Sequence, residues 1–228
     1  MILELCAFNI QSCFVAQAAG AGRIEFCADP VQGGVTPSHG AILYAQEHMA
    51  IPVFPMIRPR GGNFIYDRHE LEIMRRDILF CKETGSPGIA TGIQLPGGRI
   101  DLENMKRITA WAYPMQVTCH KVFDGVPDAH SALEDIIAAG CSRVLTSGLG
   151  RTAMEGAAVL AALVAQAADR IIIMPGGGVR AANIAQLKQL AGATEYHSSG
   201  LVSRAGDQLA DEDEVRKMVA AIQSSSDR

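Results

Sequence analysis

Short apolar runs recur eight times along the chain, each closing on a polar or glycine-rich turn and giving way to an amphipathic stretch. They begin near Ile2, Arg23, Pro52, Gly88, Met115, Ser142, Arg170 and Ala193. In the first, Leu3 and Leu5 fall on one side and Glu4 and Cys6 on the other, which is the period of a strand. The second repeats that phase, with Ile24 and Phe26 opposite Glu25 and Cys27. Between them Ile10, Phe14, Val15 and Ala18 recur at helical spacing. The same switch of period predicts strands over 52–57, 88–93, 115–120, 142–146 and 170–174, and an eighth ending at His197. It predicts helices over 68–84, 101–111, 128–139, 152–167, 180–190 and 211–223, with Ser38 and Asp101 as caps. A strand–helix unit repeated eight times is the pattern of an α/β chain closed into a (β/α)8 TIM barrel. No linker or shift of composition divides residues 1–228, so one domain is expected.

Barrels of this kind carry their chemistry at the C-terminal ends of the strands. Reactive residues gather there. Glu4 and Cys6, then Glu25 and Cys27, place the same Glu-x-Cys pair on two strands expected to be neighbours. Arg58 and Arg60 follow the third strand, His120 and Asp124 the fifth, and Ser147 the sixth. Gly176-Gly177-Gly178 closes the seventh, and His197-Ser198-Ser199 the eighth.

Composition narrows the partners. A net charge of −4 over 228 residues gives no broadly basic face of the kind a nucleic-acid binder needs. No apolar run approaches the roughly 18 residues of a membrane span, and the start MILELCAFNI does not read as a leader, so a cytoplasmic protein is expected. Six cysteines without a C-x-x-C pair are expected to be reduced thiols rather than a disulfide framework. Of these, Cys13, Cys81, Cys119 and Cys141 read as core. Arg143, set among apolar residues, reads as a buried salt-bridge partner.

Several strings together resemble the CutC family of copper homeostasis proteins. They are Glu4-Leu5-Cys6, Glu25-Phe26-Cys27, Gly33-Gly34-Val35-Thr36-Pro37-Ser38 and Met56-Ile57-Arg58-Pro59-Arg60-Gly61-Gly62. Further on come His120, Phe123-Asp124, Arg143-Val144-Leu145-Thr146-Ser147-Gly148, Gly176-Gly177-Gly178-Val179 and Glu195-Tyr196-His197, in the family's order through about residue 200. The resemblance implies a TIM barrel, a cytoplasmic home, a homo-oligomer and a role in copper handling, with Cys6 and Cys27 as Cu(I) ligands. One departure lies at strand five. The family reads Phe-His-Arg-Ala-Phe-Asp there, and this chain reads Cys119-His120-Lys121-Val122-Phe123-Asp124. Lysine does not reproduce a bidentate arginine contact.

Two functions remain open at this point. In the first, Cys6 and Cys27 hold Cu(I), a soft ion that favours sulfur. In the second, the chain is an enzyme acting on a small anionic, phosphorylated or sugar-like substrate. There Glu4, Glu25 and His120 share acid–base work, while Arg58 and Arg60 clamp an anion against Gly177, His197 and Ser199. Lys121 is expected to face the helices, because His120 takes the inward phase.

Overall fold

Every predicted strand–helix unit is present in the computed structural model, which describes residues 1–201 and 208–224. The strands are β1 (Ile2–Ala7), β2 (Arg23–Phe26), β3 (Val53–Pro55), β4 (Gly88–Thr91), β5 (Gln116–Cys119), β6 (Arg143–Thr146), β7 (Ile172–Pro175) and β8 (Glu195–Ser198). They alternate with helices α1 (Ile10–Ala18), α2 (His39–His48), α3 (Arg68–Glu83), α4 (Leu102–Ala112), α5 (Ala129–Ala138), α6 (Ala157–Ala167), α7 (Ile184–Ala191) and α8 (Glu212–Gln223). All ladders are parallel and form two four-stranded sheets, β3-β2-β1-β8 and β4-β5-β6-β7. A lone parallel bridge between Met56 and Ala90 links the β3 side to β4. On the opposite side β7 packs beside β8 without a named ladder. The architecture is thus two parallel sheets ringed by helices, and no continuous ladder encircles the described strands.

Local chemistry sets most boundaries. Five helices start on a side chain that accepts a backbone N–H of the first turn: Asn9, Ser38, Asp101, Asp128 and Asp211. Asp67 and Glu70 make a reciprocal capping box at α3. Two helices start later than their apolar period predicts. Before α7, the Arg180 N–H is taken by Asn183 Oδ1 at 2.9 Å, which holds a turn where a helix would begin. Before α6, Gly156 presses on the Ser147 carbonyl so closely that an added Cβ would lie 1.9 Å from it. The helix therefore waits until Ala157.

The alternation along each strand sorts side chains into two compartments. Leu3, Leu5, Ile24 and Phe26 join the large core between strands and helices, and Cys13, Cys81, Cys119 and Cys141 are buried in it. The opposite phase points inward, where Cys6, Cys27, Met56 and Ala90 form a small separate cluster against Phe8. Lower in the interior lie Glu4, Arg23, Phe54, Arg143 and Glu195, all buried. The Arg23 guanidinium contacts Glu4 and Glu195, and Arg143 Nε donates to Glu195 Oε2 at 3.1 Å. Both guanidinium groups also lie over the Phe54 ring, 5.2 and 5.3 Å from its centroid. Two carboxylates and two arginines balance there. Gly88 opposite them has no room for a side chain, since a Cβ would meet the Phe54 ring at 2.3 Å.

Candidate functional site

A cavity of about 220 Å³ opens above this ionic floor, at the C-terminal strand ends. Seven of the residues singled out from the sequence border it. Cys6, Glu25, His120 and His197 come from strands or strand ends, and Arg58, Gly177 and Ser199 from the loops that follow. Cys27 and Glu4 lie just behind its wall.

Cys6 and Cys27 approach each other to 3.9 Å between sulfurs, because β1 and β2 pair with Cys6 opposite Glu25. The Cys27 thiol lies 3.6 Å from Glu25 Oε2, and these three residues can offer ligand atoms to one metal ion. Cys27 is roofed by the backbone of Gly34. That glycine has φ +94°, and a Cβ would sit 3.2 Å from the sulfur. His197 stands between Glu4 and Glu25, its Nδ1 2.7 Å from Glu4 Oε1 and its Nε2 3.8 Å from Glu25 Oε2.

These contacts divide the charge. The Cys27 hydrogen bond, helped by His197 and working against burial, lowers the Cys6 thiol to about 5. Cys27, sharing that hydrogen bond and buried, is pushed well above its ordinary value and keeps its proton. Burial, with the Cys6 sulfur beside it, drives Glu25 upward as well. Burial pushes Glu4 up too, but Arg23 and His197 overrule it and hold the carboxylate at about 2. Burial alone would neutralise His197; Glu25, Cys6 and Glu4 outweigh it and keep the imidazolium.

His120 differs. Its Nδ1 accepts the Val122 N–H at 3.1 Å, so Nε2 carries the proton, and that buried Nε2–H has no partner. Burial and then Arg58 lower its pKa to about 3. The ring packs against Phe64, 4.8 Å between centroids. A neutral imidazole with one unspent donor suits hydrogen bonding better than proton abstraction.

Several expectations need correction. Arg60 does not border the cavity. It turns outward to Glu70 Oε1 at 2.5 Å and to the carbonyls of Asn63 and Ile65, because its loop folds back over the start of α3. Arg58 does border it, but its terminal nitrogens donate to the carbonyls of Gln32, Gly34 and Gly62. Glu4, expected to share acid–base work with Glu25 and His120, is paired with Arg23 and His197 and does not border the cavity. Lys121 reaches the cavity instead of the helices: β5 ends at Cys119, and 121–125 form a 3-10 turn in which strand parity no longer applies. Arg23, Glu195 and Arg180 went unread. Arg23 shares the phase of Glu25 and Cys27, and Glu195 that of His197, so counting back by two would have found both. Arg180 sits in a loop, where no period points to it.

A profile of the CutC family matches residues 1–202. The chain belongs to the CutC family. A CutC family protein of Chromobacterium violaceum is 44% identical over 198 residues, covering 87% of this chain and 80% of that one. The mouse copper homeostasis protein cutC homolog is 41% identical over 203 residues, 89% of this chain and 75% of that one. A crystal structure of a CutC protein from Streptococcus agalactiae superposes with a TM-score of 0.84 at 34% identity, covering 87% of this chain and 98% of that one. Phosphoribosyl anthranilate isomerase from Thermotoga maritima shares the TIM-barrel-like fold alone, with a TM-score of 0.65 at 15% identity over 97% of this CutC chain and 98% of its own. Among the described residues no helix is long and apolar enough to cross a membrane.

Proposed function

We propose that this CutC chain is a copper homeostasis protein that binds Cu(I) through Cys6 and Cys27. The observation that carries the reading is the 3.9 Å approach of two sulfurs at the edge of an accessible cavity. Thiolate sulfur is the donor that Cu(I) selects over carboxylate oxygen. With metal–sulfur bonds of about 2.3 Å, as for zinc, sulfurs at that separation share one ion in a bent arrangement. The Cys6 thiol is held below its ordinary value, and Cys27, pushed above its own, must give up its proton as the ion enters. Glu25 Oε2 lies 3.6 Å from that thiol, but burial and the neighbouring sulfur push its own carboxyl upward, so it is not the final acceptor. The thiol proton leaves to solvent, and binding tightens as pH rises.

The wider reading is one domain closed as a (β/α)8 barrel, working in the cytoplasm as a homo-oligomer. Closure is supported by the Met56–Ala90 bridge and by the packing of β7 beside β8; the compartment and assembly are supported by the family resemblance. Anaerobic Cu(I) titration against a competing chelator tests the metal reading. The Cys6→Ser/Cys27→Ser variant is expected to lose at least a hundred-fold in affinity, roughly 3 kcal/mol. Affinity equal to the parent protein would remove these sulfurs from copper handling.

A further inference from the structure

Besides His197, three cationic side chains border the cavity, and none of these three has a carboxylate partner among the described residues. Arg58 spends its terminal nitrogens on neutral carbonyls, and its buried Nε donates to nothing. Arg180 Nη1 donates to the Val179 carbonyl at 2.7 Å and to Ser198 Oγ at 3.2 Å. Lys121 Nζ donates to no described residue and lies across from the Gly177 turn, 3.7 Å from where a Cβ on Gly177 would be. Gly177, Gly178 and Ser199 border the same space, and their N–H groups have no backbone acceptor among the described residues. Glu25, the carboxyl that shares the cavity, is turned towards Cys27 and His197.

The floor of the same interior shows what this chain does with buried charge that has only to be neutral: it pairs arginine with glutamate. The mouth leaves its positive charge without carboxylates: Lys121 is exposed and Arg180 half-buried, while Arg58 is buried, and an unpaired charge away from water is costly. A second, independent group belongs to the same lining: the Nε2–H of His120 is buried and partnerless. A buried donor without an acceptor loses its hydration with no return, and a ligand oxygen would supply one.

We infer that the cavity binds a small hydroxylated organic anion. Its oxyanion group, phosphate or carboxylate, sits between Lys121 Nζ, the Arg180 guanidinium and the N–H groups of Gly177 and Gly178. A hydroxyl or carbonyl oxygen at its other end accepts the His120 Nε2–H. This site differs from the arginine clamp expected from the sequence in both of its cations. It takes its ligand without a metal, so it stands or falls apart from the copper reading.

The test is calorimetry on the metal-free protein with inorganic phosphate, ribose 5-phosphate and gluconate at millimolar concentration. Binding of either organic anion is expected, with inorganic phosphate weaker because it does not span to His120. Preference for the sugar phosphate identifies a phosphate headgroup, and preference for gluconate a carboxylate. Lys121→Met and Arg180→Gln should each weaken the better ligand at least ten-fold while keeping the parent circular dichroism. His120→Phe should reduce the organic anion to the affinity of inorganic phosphate and leave inorganic phosphate unchanged. No binding of any of the three, or equal binding by all variants, overturns the inference.

Discussion

The floor and the mouth of the interior share strands β1, β2 and β8, yet they treat polar groups in opposite ways. On the floor, Arg23, Arg143, Glu4 and Glu195 are matched in charge and hydrogen-bonded to one another, and Phe54 lies beneath both guanidinium groups. At the mouth, Glu25 Oε1, Arg58 Nε and His120 Nε2 are buried without partners, and the cations besides His197 have no carboxylates. Satisfied networks hold a fold together; unsatisfied groups cost stability and persist where a ligand completes them. Burial alone therefore does not identify a site. Glu4 and Glu25 are both buried inward glutamates in the same motif, but one is locked to Arg23 and the other faces a cavity.

The contrast is open to test, most strongly on the floor. Arg23→Ala leaves two buried carboxylates without their shared guanidinium, and breaking a buried pair in this way costs about 3–5 kcal/mol. Urea denaturation measures it. A loss under about 1 kcal/mol would make the floor no more than a set of surface-strength pairs.

A smaller effect is expected at the mouth, through pH. Folded His120 is held at about 3, and the unfolded imidazole titrates near 6.5. Its contribution is fully present above 6.5 and is lost as pH falls, because only the unfolded chain takes up the proton. Between pH 7 and pH 5 this should cost about 2 kcal/mol of stability. In His120→Phe that part of the acid sensitivity should vanish. Identical slopes in the two proteins would mean the imidazole is not buried neutral.

The least effect is expected on the outside, at the Arg151–Glu155 pair, where the arginine side chain is 91% exposed. Arg151→Ala should leave the denaturation midpoint where it is, since exposed pairs are screened by solvent. A measurable drop would weaken the rule that separates paired groups inside from paired groups outside.

The sequence disclosed the strands and the inward phase of the first two because a period of two ties position to direction. That rule carried Cys6, Cys27, Glu25 and His197 to the right side of the wall, and Arg143 was legible as a buried ion partner. It would have carried Arg23 and Glu195 as well, had the phase been followed back to the start of each strand. Where strands end, the rule ends with them. Lys121 and Arg60 lie two and five residues beyond the ends of β5 and β3, and their directions are decided by a 3-10 turn and by the pull of Glu70. Arg180 is aimed by a hydrogen bond to Ser198, far along the chain. The fold was readable from local repetition, while the choice of cations at the mouth depended on contacts between loops.

The absence of a side chain at Gly88 lets the Phe54 ring lie flat across the interior under two guanidinium groups, and the cavity above that floor has a consequence for traffic. Cys6 meets open space in the cavity that Lys121 and Arg180 also line. An occupant of that cavity would share its space with anything held at the sulfur, so a change at Lys121 or Arg180 should be felt as a change in exchange rate even where no contact to the sulfurs is touched.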